Sequence, residues 1–234
     1  GAQVEALMSM RAVESTRALA VNHETRFLAV AGSESGTGQT NANVNLVNGQ
    51  PHRWVAGGAS ATTRVMTLSD IIAAKLSMDK AGVPANGRIM IVDPVVEATF
   101  NSLSNLVNVS NNPHFEGIIT DGFAREHKFV KNIFGFDIWT SNFLPVKTAT
   151  EALDASSYNL ANDTAEVGDV INIAMCLADD NCKPVMHAWR RQPRTEGWRD
   201  PNNRGDNFQV TSRFGLGIQR TDTLIAIATH PTNY

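Results

Sequence analysis

The chain is short of the features that mark an enzyme, a membrane protein or a disulfide scaffold. It holds two cysteines in 234 residues, Cys176 and Cys182. Their spacing is too wide for a redox Cys-x-x-Cys motif, and no second pair exists to complete a zinc site. A small disulfide across a hairpin is open to them. Two free thiols flanking the Asp179-Asp180-Asn181 turn is the favoured reading, and a reducing compartment fits it. No apolar run approaches the roughly 18 residues that cross a bilayer, so no membrane partner is expected. A formal charge of −3 supplies no global attraction to nucleic acid or anionic lipid. The chain opens on Gly1 without an initiator methionine or signal peptide, and the expectation is that something was removed before it.

Catalytic spacing is missing as well. Gly32-Ser-Glu-Ser-Gly-Thr-Gly-Gln-Thr40 invites comparison with a phosphate loop, but no Lys precedes Thr40 and Glu34 would repel a phosphate. The same stretch fails as a Gly-x-Ser-x-Gly nucleophile elbow, because Glu34 stands where the serine belongs. His23, His52, His114, His127, His187 and His230 are scattered with no metal-binding interval between any two. Asp179 and Asp180 suit a hairpin tip, and Asp121, Glu126 and Asp137 could converge only through tertiary structure. No cofactor, no metal and no catalytic residues are therefore expected. A structural or binding protein fits better than an enzyme, although one whose residues converge only in three dimensions is not visible this way.

What is there is a well-marked core. With 42% hydrophobic and 18% charged residues, the chain can bury a sizeable interior as one large domain or two small ones. Arg88 to Val92 reads as a buried strand, with Ile89, Met90, Ile91 and Val92 in one apolar run. Asp93 can cap a helix, and Pro94 suits its first turn. Val96, Phe100 and Leu103 follow at helical spacing. Upstream, Thr67-Leu-Ser-Asp70 resembles a capping box, with Leu68, Ile71, Ile72 and Leu76 after it and Gly82 and Pro84 as the stop.

The flanks differ from each other. Ala2 to about Ala31 contains neither Pro nor Gly, and reads as one helix of about 45 Å at 1.5 Å per residue. Its apolar residues form no single stripe, as in a helix that crosses a sheet and also touches neighbours. Gly32 to Thr67 is a polar connector with short extended pieces near Asn43–Val47 and His52–Val55. Asn108–Pro113 reads as loop, Gly117–Thr120 and Lys128–Asn142 as strands with Asn132 and Gly135 at turns, and Thr148–Glu166 as a polar surface loop. Strands are expected at Val167–Leu177, Lys183–Trp189, Phe208–Gln219 and Leu224–Thr229, with a turn at Thr221-Asp222. The last third is expected to form a β-meander.

One local charge anomaly stands out. Trp189, Arg190, Arg191, Arg194, Trp198, Arg199 and Arg204 interleave cations with aromatics. Nucleic-acid contact through phosphates and stacking is one reading, which would make the protein a nucleic-acid-binding module. Glu196, Asp200 and Asp206 are mixed in, however, and every cation is Arg. Arg favours bidentate ion pairs, and Arg and Trp are typical anchors of protein interfaces, so subunit contact is the preferred reading.

Taken in order, these segments resemble a family. The long helix ends in Phe27-Leu-Ala-Val-Ala-Gly-Ser-Glu-Ser-Gly-Thr-Gly38. Then come Leu68-Ser-Asp-Ile-Ile, Ala81-Gly-Val-Pro84, Gly87-Arg-Ile-Met-Ile-Val-Asp-Pro94, Phe136-Asp-Ile-Trp-Thr-Ser-Asn-Phe-Leu-Pro145 and Arg213-Phe-Gly-Leu-Gly-Ile. This is similar to the major capsid protein of tailed bacteriophages, the Hong Kong 97-type fold. The resemblance implies an α+β architecture with a spine helix, a peripheral-domain sheet and a central axial domain. Residues 1–67 would form the spine helix and polar connector, 68–177 the axial domain, and 178–234 the return to the peripheral sheet. The family normally carries an N-terminal arm and an extended loop before the spine helix, so the resemblance implies that this chain is a fragment or one whose N-terminal part is missing. The resemblance further implies self-assembly, in pentamers and hexamers, into an icosahedral shell around DNA. Packaged DNA would be touched non-specifically, and scaffolding, portal or decoration proteins would be partners. The virion is the implied location, with assembly in the host cytoplasm.

Overall fold

The computed structural model of the protein describes residues 2–32, 46–57, 63–103, 132–147, 166–200, 202 and 205–233. Helix α1 spans Ala2–Gly32. Three short strands follow, β1 (Leu46–Val47), β2 (Gln50–Pro51) and β3 (Arg53–Val55). Then come α2 (Leu68–Lys80), β4 (Arg88–Val92) and α3 (Pro94–Ser102). Strands β5 (Asn132–Ile133), β6 (Phe136–Thr140), β7 (Val170–Cys176), β8 (Val185–Asp200), β9 (Gly205–Ile218) and β10 (Leu224–Thr229) complete the order. The expected strand at Gly117–Thr120, the loop at Asn108–Pro113 and most of the loop at Thr148–Glu166 lie outside the described residues.

The caps read from the sequence are present. Thr67 caps α2: its Oγ1 accepts from Asp70 N, and Asp70 Oδ2 accepts from Thr67 N at 2.8 Å. The same carboxylate accepts from Trp54 Nε1 at 3.2 Å and Gly57 N at 3.0 Å, so the cap also ties α2 to β3. Gly82 ends the helix with φ +71°, a left-handed conformation that glycine adopts without a side-chain clash. Asp93 Oδ2 accepts from Val95 N, and Pro94 opens α3.

A six-stranded mixed sheet has the order β3-β10-β7-β4-β6-β5. Strand β4 shows why its run is apolar throughout. Met90 and Val92 join the core formed with Ile71, Ala74 and Met78 of α2 and Val96 and Phe100 of α3. Ile89 and Ile91 pack in a second cluster with Leu28 and Ala31 of α1, Leu144 and Met175. The strand is therefore covered on both sides. From Met10 onward only the last turns of α1 are buried; Met10 is 62% and Val13 71% exposed, which accounts for the diffuse apolar stripe.

The centre of the sheet carries satisfied polar groups. Asn172, fully buried in β7, donates to Thr229 Oγ1 at 2.7 Å and to Ile227 O at 3.2 Å. Its Oδ1 accepts from Asp93 N at 2.8 Å, linking β10 to the strand–helix corner. Buried Arg64, with φ +48°, pairs with buried Asp169 at 3.1 Å and with exposed Glu166 at 3.0 Å.

Two expectations need correction. The last third is no continuous meander: among the described residues β8 and β9 pair only with each other, while β10 crosses to the central sheet between β3 and β7. A strand buried at all six positions needs cover on both faces, and the two-stranded ribbon cannot provide it. Asn132 belongs to the ladder opposite Asp137, and the turn falls at Phe134-Gly135, both at positive φ as a two-residue hairpin requires. The central sheet draws β3, β4, β5, β6, β7 and β10 from all three expected sequence segments. Cys176 and Cys182 are free and buried.

Candidate subunit interface

The Arg/Trp run is not a segment beyond a short strand, as a strand ending at Trp189 would make it. It is strand. β8 continues to Asp200 and pairs in antiparallel register with β9 from Val185↔Ile218 to Asp200↔Gly205. The ladder survives Pro193 through irregularities. The register steps from Trp189↔Phe214 to Arg191↔Arg213, leaving Arg190 as an extra residue, and again from Arg191 to Arg194↔Thr211. Bulges accommodate a proline that cannot donate to the ladder, and they re-aim neighbouring side chains.

The base of this ribbon is clamped to α1 by rings. His23 of α1 stacks on Trp189, with centroids 5.4 Å apart and planes 10° apart. His187 and Phe214 pack around the same pair, at 4.6 Å and 5.6 Å from Trp189. His23 Nε2 and His187 Nε2 are 3.0 Å apart, so one nitrogen donates to the other. Burial, followed by the neighbouring His187, holds the His23 imidazole below its ordinary value. Trp189 is thus half structural, at 42% exposure, whereas Trp198 further along is 50% exposed and stands opposite Asn207.

The arginines divide into separate environments. Arg191 pairs with Glu196, and Arg194 Nε approaches the same carboxylate oxygen at 3.6 Å. Exposed pairs of this kind contribute little stability. Arg190 instead lines an open groove of about 660 Å³ together with Arg26, Trp189, Arg213 and Phe214. Arg199 is exposed opposite Asp206, and Arg204 lies outside the described residues. Sequence reasoning missed Arg26, His23, His187, Phe214 and Arg213. The alternation His187-Ala-Trp189 and the neighbouring Arg213-Phe214 hinted at the hairpin members. Nothing local marked His23 and Arg26 as their partners.

No group of three or more His, Cys, Asp or Glu able to hold a metal occurs among the described residues. The described helices include none long and apolar enough to cross a membrane.

Solved structures share this arrangement. A chain from Mycobacterium phage Che8 aligns with a TM-score of 0.56 at 15% identity, covering 93% of this chain and 61% of that one. The capsid of cyanophage P-SCSP1u gives 0.59 at 17% identity, with 94% and 65% covered. The mature capsid of bacteriophage PhiM1 gives 0.54 at 17%, with 96% and 64% covered. The chain spans somewhat under two thirds of each of these chains. At such identities the likeness shows the fold, which is the Hong Kong 97-type capsid fold expected from the order of sequence segments. No curated protein sequence matches. The family described as phage capsid protein, in contrast, matches residues 3–227, nearly the whole length. The chain belongs to the phage capsid protein family, whose role is structural.

Proposed function

We propose that this protein associates with copies of itself, in pentamers and hexamers, to build the closed icosahedral shell that encloses phage DNA. The observation that carries the reading is the family match over residues 3–227 on a capsid fold. The physical logic is summation: one weak, mostly polar contact, repeated by symmetry over many copies, closes a stable shell. On this reading the central sheet with α2 and α3 is the axial part, and α1 with the β8–β9 ribbon is the peripheral part. Assembly takes place in the host cytoplasm and the product resides in the virion. Scaffolding, portal or decoration proteins are further partners, and packaged DNA is touched non-specifically. The outer face of the ribbon, with Trp189, Arg190, Arg191, Arg194, Trp198 and Arg199, is the subunit contact, and Arg204 follows in sequence as its last member. Support comes from its exposed Trp and Arg side chains, the usual anchors of interfaces.

Negative-stain electron microscopy of the purified protein tests the proposal. Closed shells or tubes of uniform subunits are expected; a homogeneous monomer with and without scaffolding protein would overturn it. Arg190→Glu with Arg191→Glu should block assembly while leaving the circular-dichroism spectrum unchanged. The second reading, a nucleic-acid-binding module, is favoured by the exposed Trp198 beside Arg199. It predicts DNA binding by monomers that weakens steeply with salt.

A further inference from the structure

Three arginines from three elements converge on one groove. Arg26 comes from α1, Arg190 from β8 and Arg213 from β9, with Trp189 and Phe214 between them. All three arginines are exposed. Among the described residues none of the three forms an ion pair, whereas Arg191 and Arg194 share Glu196. Arg190 is the extra residue of the first bulge, so the ladder is broken at the position that adds a cation to this groove. Like charges gathered on a partly apolar wall repel one another unless an anion joins them. Guanidinium forks set beside aromatic faces suit carboxylates, which they bind by paired, charge-assisted hydrogen bonds.

The matching anions are in the same chain. Residues 185–218 carry six arginines against Glu196, Asp200 and Asp206, a net +3, so the remainder of a −3 chain carries −6. No Lys or Arg occurs between Lys147 and Lys183. Within that span, residues 148–165 lie outside the described residues and contribute Glu151, Asp154 and Asp163 with no cation. The described ends of the stretch meet: Lys147 O accepts from Gly168 N at 3.0 Å, and Lys147 N donates to Asp169 O at 2.8 Å. At that base Arg64 holds Glu166 and Asp169.

We infer that the groove of Arg26, Arg190 and Arg213 receives the acidic stretch 148–165 of a second copy of this chain, guanidinium to carboxylate. The inference rests on the shell reading and adds to it a named donor and acceptor. It also explains why the ribbon is basic in an acidic protein: copies are drawn together with the ribbon of one facing the acidic stretch of the next.

Crosslinking between separately purified variants tests it. Ala155→Cys and Ser212→Cys, the second on the groove wall, are mixed, assembled and oxidised. The native cysteines are buried, and the wild-type protein controls for them. A crosslinked dimer that needs both variants is expected. Arg190→Glu with Arg213→Glu should lower the assembled fraction about tenfold, and Asp154→Arg with Asp163→Arg in the same chain should recover much of it. Shells that form normally without the crosslink, and with the arginine variant assembling at wild-type yield, overturn this inference and leave the shell reading standing. A crosslink seen only inside one chain carrying both cysteines overturns the second-copy occupant. Arginine-variant shells that assemble but lose packaged DNA overturn it in favour of phosphate. Failure of the wild-type protein to form any particle overturns the shell reading and this inference together.

Discussion

The six-stranded sheet and the β8–β9 ribbon use strands in opposite ways. In the sheet, β7 and β10 are buried at every position, and their polar side chains Asn172 and Thr229 bond to each other; just before β7, buried Asp169 pairs with Arg64. Among the described residues the ribbon has no third strand; it has two register irregularities and exposed charge along most of its length. A two-stranded ribbon is marginal by itself, and this one is held by the ring cluster of His23, His187, Trp189 and Phe214. The difference separates two tasks. The sheet keeps the chain folded; on the proposed reading, the ribbon carries the side chains of the subunit contact.

That separation can be broken from either side. The largest effect is expected in the sheet. Asp169→Ala leaves the Arg64 guanidinium buried with only the exposed Glu166 as partner, and should cost about 3 kcal/mol, read as a fall in urea midpoint. Asn172→Leu strands the backbone N–H of Asp93 and should cost about 2 kcal/mol by the same measurement. Both losses should appear in monomers. In the ribbon, Trp189→Ala should loosen the junction with α1, seen as faster amide exchange in β8 and β9. Trp198→Ala should leave stability within about 0.5 kcal/mol while still weakening assembly. If Trp198→Ala unfolds the monomer, the division of tasks is wrong.

The smallest effect is a proton. Burial first, and His187 second, lowers the affinity of His23 for a proton, and burial likewise lowers that of His52, between β2 and β3. The unfolded chain then binds more protons than the folded one just below pH 6.5, the ordinary value for both. Their contribution is full above that pH and declines as pH falls through it. A melting temperature that drops between pH 7.5 and 5.5, and drops less in His23→Gln, is expected. A rise over that interval would contradict the lowered proton affinity of His23.

Much of the fold was readable from local chemistry. Thr67 and Asp70, Asp93 and Pro94, and Gly82 mark helix ends, because capping is settled within a few residues. The apolar runs of β4 and β10 announced strands covered on both faces. Their neighbours were not readable, since an apolar strand pairs equally well with any other. The destination of β10 between β3 and β7, away from the preceding ribbon, was set by which sheet could cover both of its faces.

The candidate site divides in the same way. Composition marked Trp189 through Arg204 as unusual, because charge and aromatic content are properties of the residues themselves. It could not say that Arg191 and Arg194 turn to Glu196, that a bulge frees Arg190, or that Arg26 arrives from a helix far back in the chain. Chain order carries helix caps, strand runs and net charge. The choice of which like charges are neutralised and which are left to meet a partner depends on distances of a few ångström between remote residues, and those exist only once the chain has folded.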